Sequence, residues 1–298
     1  MARRLELNIT PRLAGIKVDT LLRKHLGLSG TVIKRIKWLE DGILCDGQRV
    51  NTRFLPREGQ VLSVRLSDPE RQSGIVPTPG PLNIVYEDED IIVLNKHAGI
   101  SVHPGPGHFD DTLGNFLLYY YISQGKDGDF HPIHRLDRGT SGLLVCAKHP
   151  HAQERLKLQL HTDQFRRTYL AVCEGCPTPS SGTVDAPLGP RPDSLMAQMV
   201  RPDGKAARTH YQTLQTQNGR SLLRLVLDTG RTHQIRVHLA HLGHPLIGDF
   251  LYGTEDLHLI SRPALHSYQL EFLHPISRLP LSFHAPLPED MISLLAFP

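Results

Sequence analysis

His134-Arg135-Leu136-Asp137-Arg138-Gly139-Thr140-Ser141-Gly142 runs directly into Leu143-Leu144-Val145-Cys146-Ala147-Lys148. A short polar loop carrying one carboxylate opens an apolar strand. Asp137 lies between Arg135 and Arg138, and Gly139 and Gly142 let the backbone bend sharply. A single ionisable carboxylate at a strand mouth is a position where many sites are built, so the reading of function turns on Asp137. The competing reading is a loop aspartate that caps a turn.

Outward from this loop, residues 83–298 mix strands and helices without regular βαβ alternation, which points to one α+β body. It opens with the strands Ile84-Val85-Tyr86 and Ile91–Leu94, joined by an acidic turn over Glu87–Asp90. No internal repeat is visible. His103-Pro104-Gly105-Pro106-Gly107-His108 has two prolines and no GK[ST] ending, so it is not a phosphate loop. Residues 68–82, with Asp68, Pro69, Glu70, Pro77, Pro79, Gly80 and Pro81, have the composition of a linker.

Residues 16–67 read as a small separate unit, and 1–67 as its domain. Val18, Leu21, Leu22 and Leu26 recur at helical spacing. Ser29 or Thr31 caps a second helix expected to run through Leu39 and to end at Gly42. Val32, Ile36 and Leu39 would face a core, with Lys34, Arg35 and Lys37 outward beside Trp38. Short strands are expected at Ile43–Cys45 and Gln60–Leu66, with Asp46-Gly47 as a turn.

Charge divides along the same line. Residues 1–67 hold 13 Lys/Arg against 6 Asp/Glu, and residues 68–298 hold 20 against 24, so a chain of net +3 is a +7 unit joined to a −4 body. Such asymmetry suggests a polyanionic partner, most simply nucleic acid. Lys34, Arg35 and Lys37 are the candidate phosphate contacts; a solvated basic helix face is the alternative.

Several classes are set aside. Hydrophobic residues make up 39% of the chain, enough for a packed core. No run of about 18 apolar residues suggests a membrane span, and the start lacks the apolar stretch of a signal peptide. A cytoplasmic protein with no membrane partner is expected. Cys45, Cys146, Cys173 and Cys176 make no disulfide framework in a chain this long, and the lone Cys173-x-x-Cys176 lacks the partners of a zinc site. His233, His238, His241 and His244 lack the glutamate of an HExxH pairing. His233 and His238 therefore read as hydrogen-bonding scaffold, and no metal is expected.

Two further segments carry chemistry. Arg166-Arg167-Thr168-Tyr169-Leu170-Ala171-Val172 is a strand with a central tyrosine behind two cations. Asp228-Thr229-Gly230-Arg231-Thr232-His233-Gln234-Ile235-Arg236-Val237-His238 is a turn followed by a dense row of donors. With the Asp137 loop, Asn95-Lys96, Gly248-Asp249, Tyr252-Gly253, Leu265-His266-Ser267 and His274-Pro275, they resemble the RNA pseudouridine synthases, specifically the RluA-type branch, over about residues 82–290. Departures from that pattern are His97 for a usual Pro, Arg167 for a common Lys, and Ser267 for a common Ala. The first unit resembles the alpha-L RNA-binding module through Val18–Leu26, Leu28-Ser29, Ile33–Gly42, Asp46-Gly47 and Gly59-Gln60-Val61, with Asp46 where Asn is usual.

The resemblance implies a catalytic domain with a mixed, largely antiparallel sheet and flanking helices, preceded by a small α/β RNA-binding module. The implied reaction cuts uracil from its sugar, turns it and rejoins it through a ring carbon. No redox change occurs and no water is consumed, so no cofactor is expected. A carboxylate can trap or stabilise the sugar, or act as a base on it, and then be restored; Asp137 is implied in that role. Arg231 is implied as the cation paired with it. Tyr169 is implied against the target base, its hydroxyl able to handle a proton at the ring carbon. Ile235 is implied as the apolar wall opposite. Arg135 is implied as the group that fills the space left by a flipped uridine. Plain structural roles remain for each: a core tyrosine, a surface arginine, a core isoleucine, an ion pair within the loop. A glycosidase would need a second carboxylate with a matching motif. A non-catalytic RNA-binding protein need not keep Asp137, Tyr169 and Arg231 together. Ribosomal RNA of the large subunit is the favoured partner, transfer RNA the alternative, and the chain is expected to act as a monomer.

Overall fold

The computed structural model describes residues 3–67, 73–126 and 128–295. Asp68, Pro69 and Glu70 of the expected linker lie outside the described residues.

The first unit contains strand β1 (Arg4–Asn8), helices α1 (Val18–Lys24) and α2 (Gly30–Ile36), and strands β2 (Ile43–Cys45), β3 (Gln48–Arg49) and β4 (Val61–Arg65). The strands form an antiparallel sheet in the order β1-β4-β2-β3. Val18, Leu21 and Leu22 of α1 and Val32, Ile33 and Ile36 of α2 meet Leu62 and Val64 of β4 in a core of their own. The Ser29 hydroxyl caps α2 by accepting from Val32 N at 3.3 Å. The helix ends at Ile36, three residues before the expected Leu39. Gly42 explains the early stop: a Cβ there would lie 1.8 Å from the Ile36 carbonyl oxygen, so the chain folds back tightly under the last turn. Asp46-Gly47 adopts left-handed backbone at both positions, as a two-residue hairpin turn requires. The turn leads into β3, which, like β1, the expected strands did not include.

The body contains β5 (Ile84–Glu87), β6 (Ile91–Lys96), α3 (Leu113–Ser123), β7 (His131–Pro132), β8 (Ser141–Ala147), α4 (Pro150–Gln159), β9 (Phe165–Glu174), β10 (Ser181–Asp185), β11 (Leu188–Pro190) and β12 (Gln198–Val200). It continues with β13 (Arg208–Gln217), β14 (Arg220–Leu227), α5 (Gln234–His241), β15 (Leu265–Leu273), β16 (Pro280–His284) and α6 (Glu289–Ser293). The large sheet runs β10-β13-β14-β9-β15-β8-β6-β5, with β7 beside β8 and β16 beside β15. Every pairing is antiparallel except β15 with β8. The α+β class and the mixed, largely antiparallel sheet therefore hold.

The apolar run after Asp137 is β8, a central strand with all seven residues buried. Leu144 and Cys146 enter the core that also holds α3, Tyr169 and Ile235, while Leu143 and Val145 face the core under α4. Burial on both faces is why the strand is apolar throughout rather than alternating. At its start, Gly142 sits between Lys96 of β6 and Ser267 of β15. Its φ is +106°, and a Cβ would lie 2.2 Å from the Ser267 carbonyl oxygen. Only glycine permits this approach.

The two units also touch directly. Arg3 forks onto the buried Asp90 at 2.8 and 3.2 Å, and Ile276 of the body packs on the first unit's core. His149 Nε2 lies 2.9 Å from the same carboxylate.

Gly142→Ala should lower unfolding stability by roughly 2–4 kcal/mol in urea titrations, through both clash and backbone strain. Glu87 offers a pH test. Burial alone would raise its pKa, but Lys126, Lys148 and Tyr120 hydrogen-bond it at 2.7–2.9 Å and hold it at about 2. A depressed carboxylate stabilises fully above its unfolded value of about 4.3 and loses that contribution as pH falls toward 2. Glu87→Gln should cost about 2 kcal/mol at neutral pH and flatten the acid-unfolding limb over that window.

Candidate active site

The Asp137 loop is held from several sides. His134 and Leu136 turn into the interior, and Thr140 N donates to Asp137 O at 3.0 Å. Gly99 N donates to Arg138 O at 2.8 Å, and Arg138 Nε donates back to Gly99 O at 2.9 Å. Lys96, 1% exposed, donates from Nζ to the carbonyls of His97, Ile100 and Arg138 at 2.8–3.1 Å. Burial pushes this ammonium down to about 7, against the pull of Asp137. The carboxylate of Asp137 is left part-exposed at a cavity of about 530 Å³.

The cation facing Asp137 is Arg236, with Nη1 at 3.7 Å from Oδ2. Arg236 is itself fixed by a bidentate pair to Asp249, at 2.7 Å for both bonds. Asp249 is fully buried and also accepts from Leu251 N and Tyr252 N. Burial would lower the guanidinium pKa, but Asp249 and Asp137 outweigh it and raise it, so the charge is permanent. The guanidinium lies over the Tyr252 ring, 5.1 Å from its centroid.

The expected pairing of Arg231 with Asp137 is thus corrected to Arg236. Residues 230–233 form an outer turn, and the chain enters α5 only after His233, which is left-handed at φ +56°. Gln234 staples this turn: Oε1 accepts from Arg231 N and Thr229 Oγ1, and Nε2 donates to Arg208 O and Thr209 Oγ1. Arg231 stays exposed at the cavity rim with Nε on Ala206 O at 3.0 Å. One helical turn inward, Arg236 is 4% exposed. A buried guanidinium is costly without a counter-ion, and Asp249 supplies it here; Arg236 and Asp249 both stand in the segments that carry the resemblance.

Tyr169, in the middle of β9, is 5% exposed and packs with Leu136, Ile235 and Leu265. Burial, aided by Asp137, pushes its phenol pKa up against Arg167, so the hydroxyl keeps its proton in neutral water. Ile235 on α5 is buried and lines the same cavity. Arg135 is exposed at its rim and has no carboxylate partner among the described residues. Asp137, Tyr169, Arg231, Ile235 and Arg135 thus surround one cavity.

Lys34, Arg35 and Lys37 lie away from it on the first unit. Lys34 and Arg35 are exposed, Lys37 lies 4.8 Å over the Trp38 ring, and Arg35 lines a cleft between α2 and α4. His238 is fully satisfied by Thr209 Oγ1 and Ala186 O, and His233 Nδ1 meets the Tyr252 hydroxyl at 2.8 Å.

Arg236→Ala should cost roughly 3–5 kcal/mol of stability by leaving Asp249 buried and unpaired, and about 100-fold or more in single-turnover rate. Arg231→Ala should stay within about 0.5 kcal/mol. An Arg236→Ala/Asp249→Ala double variant should regain stability without regaining rate, which separates orientation of Asp137 from folding.

Residues 90–241 match the family described as RNA pseudouridylate synthase. The uncharacterized RNA pseudouridine synthase YjbO of Bacillus subtilis (strain 168) is 38% identical over 271 residues, spanning 91% of this chain and 95% of that protein. The ribosomal large subunit pseudouridine synthase D of Escherichia coli (strain K12) is 38% identical over 317 aligned residues, spanning 99% of this chain and 95% of that protein. Among solved structures, human RNA pseudouridylate synthase domain containing 1 superposes with a TM-score of 0.58 at 27% identity, over 70% of this chain and 85% of that one. Similarity of this depth runs through the Asp137 loop, the Tyr169 strand and the turn into α5, and the chain belongs to the RNA pseudouridine synthases, in their RluA-type branch.

Proposed function

We propose that the chain isomerises a uridine of large-subunit ribosomal RNA, with Asp137 acting on the sugar. The observation that carries this is the Asp137–Arg236 pair at the mouth of a cavity walled by Tyr169 and Ile235. Arg236 holds the carboxylate aimed at the space a ribose would occupy. In the reaction the C1′–N1 bond breaks and a C1′–C5 bond forms. The proton leaving C5 is balanced by one gained at N1, so nothing is consumed and Asp137 is restored. The Tyr169 ring offers the base a flat apolar face, and its protonated hydroxyl is assigned to handle the proton at the ring carbon. Arg135, at the rim with no carboxylate partner among the described residues, is suited to stack in the gap left by the extruded base. Arg231 is assigned to the RNA backbone at the rim rather than to Asp137.

Ribosomal RNA is favoured because relatives aligned over nearly the whole chain carry a large-subunit name. Residues 1–67 are assigned as an RNA-binding module, with Lys34, Arg35 and Lys37 meeting phosphates beside the exposed Trp38. All four cysteines are unpaired, which suits a reducing cytoplasm, and the chain is assigned as a monomer.

Pseudouridine mapping of ribosomal and transfer RNA in a deletion strain tests the substrate. A large-subunit position should lose its modification, regain it with the wild-type gene, and stay empty with Asp137→Asn. Loss confined to transfer RNA would reassign the substrate. Release of free uracil from purified RNA would replace isomerisation with hydrolysis.

A further inference from the structure

Strand alternation sends the two cations before Tyr169 to opposite faces. Arg166 is exposed, whereas Arg167 points inward with Tyr169, 4% exposed, and lines the same cavity. Among the described residues Arg167 has no carboxylate partner. Its Nε is buried with no acceptor, and Nη2 reaches only Thr229 O at 3.5 Å, the limit of a hydrogen bond. A charged group buried without a counter-ion is expensive to keep. The chain has nonetheless made room for it: a Cβ on residue 230 would come within 2.9 Å of Arg167 Nη1, and residue 230 is glycine.

A second side chain in this corner is also unpaired. His134 is 7% exposed, lines the cavity, and finds no partner for Nδ1 or Nε2. Burial, with Arg167 beside it, pushes the imidazole down to about 3. It is neutral in ordinary buffer and offers one N–H. Asp137 does not neutralise the corner, because its charge is turned to Arg236.

We propose that Arg167 is the receptor for a phosphodiester flanking the target uridine, with the His134 N–H as a second donor. A nucleotide turned out of its stack brings its own phosphates with it. The guanidinium fork matches two non-bridging phosphate oxygens, and an anion there supplies the missing counter-charge. A base carbonyl would leave the charge uncompensated. Arg167 is a binding and positioning residue in this assignment, with no part in bond making. The proposal deepens the function proposed above and rests on RNA being the substrate.

The test uses the full chain in an Asp137→Asn background, so that binding is read without turnover, on an RNA hairpin carrying the mapped uridine. Arg167→Gln should bind about tenfold to a hundredfold more weakly. Its log Kd against log salt slope should fall by about 0.7–0.9, one phosphate contact. Arg167→Lys should keep the slope. On the RNA side, a methylphosphonate at one linkage beside the uridine should weaken binding to the arginine protein and leave Arg167→Gln indifferent. An unchanged slope with an undiminished methylphosphonate penalty in folded Arg167→Gln would overturn the proposal. If that variant does not fold, a methylphosphonate scan of the arginine protein with no sensitive flanking linkage overturns it equally. Should the wild type convert no RNA, the proposed function fails. The phosphate site is then read separately with uridine 3′,5′-bisphosphate against uridine: a preference for the bisphosphate that Arg167→Lys retains supports it, and equal binding rejects it.

Discussion

Three strands meet at Gly142, and the geometry of the site follows from how closely they do so. There β8 is held against Lys96 of β6 on one side and against Ser267 of β15 on the other, with Gly142 at positive φ and no room for a side chain. The parallel contact with β15 involves two residue pairs, His266 with Ser141 and Ser267 with Gly142. Ser267 Oγ donates to Leu143 O, and Ser141 Oγ meets His266 Nδ1, both at 2.9 Å. This short seam joins the two halves of the large sheet. The strands diverge beyond it, and the loop that feeds β8 carries Asp137 into the opening.

Electrostatics then fixes what the backbone places. Arg236 answers two carboxylates of different character: Asp249, buried and bidentate, and Asp137, part-exposed at 3.7 Å. The first holds the guanidinium still, so the second is oriented without being fully neutralised. Lys96 does the corresponding work on the backbone by gathering three carbonyls of the loop and its neighbour. The site is therefore organised before any substrate arrives, which is what electrostatic stabilisation of a short-lived species demands.

Much of this was legible in the residues, and the parts that were not share a cause. The helices of the first unit showed as apolar periodicity, and β8 as an unbroken apolar run, because burial dictates those patterns directly. The boundary at Ile36 was hidden because it depends on Gly42 closing against a carbonyl six residues earlier, a contact across a turn. Arg231 was given the partnership that Arg236 holds for a similar reason. Along the chain both are cations in one row of donors. Only the left-handed step at His233 and the start of α5 turn one outward and the other in. Arg167 presented itself as one of two adjacent cations, and its isolation from any carboxylate is a property of the folded cavity alone.

The two units meet through side-chain contacts as well as through the chain that connects them. Arg3 is clamped on Asp90, which His149 also engages, and Ile276 seals the first unit's core. The placement of the basic helix α2 relative to Asp137 is thus constrained by these contacts as well as by the residues that connect the units. On the function proposed above, an RNA reaching both would meet two surfaces whose separation these contacts constrain, as a key blank is gauged by the spacing of its cuts. Selection by that spacing would be geometric: a helix one turn too long would present its uridine to the wrong part of the wall, whatever its sequence.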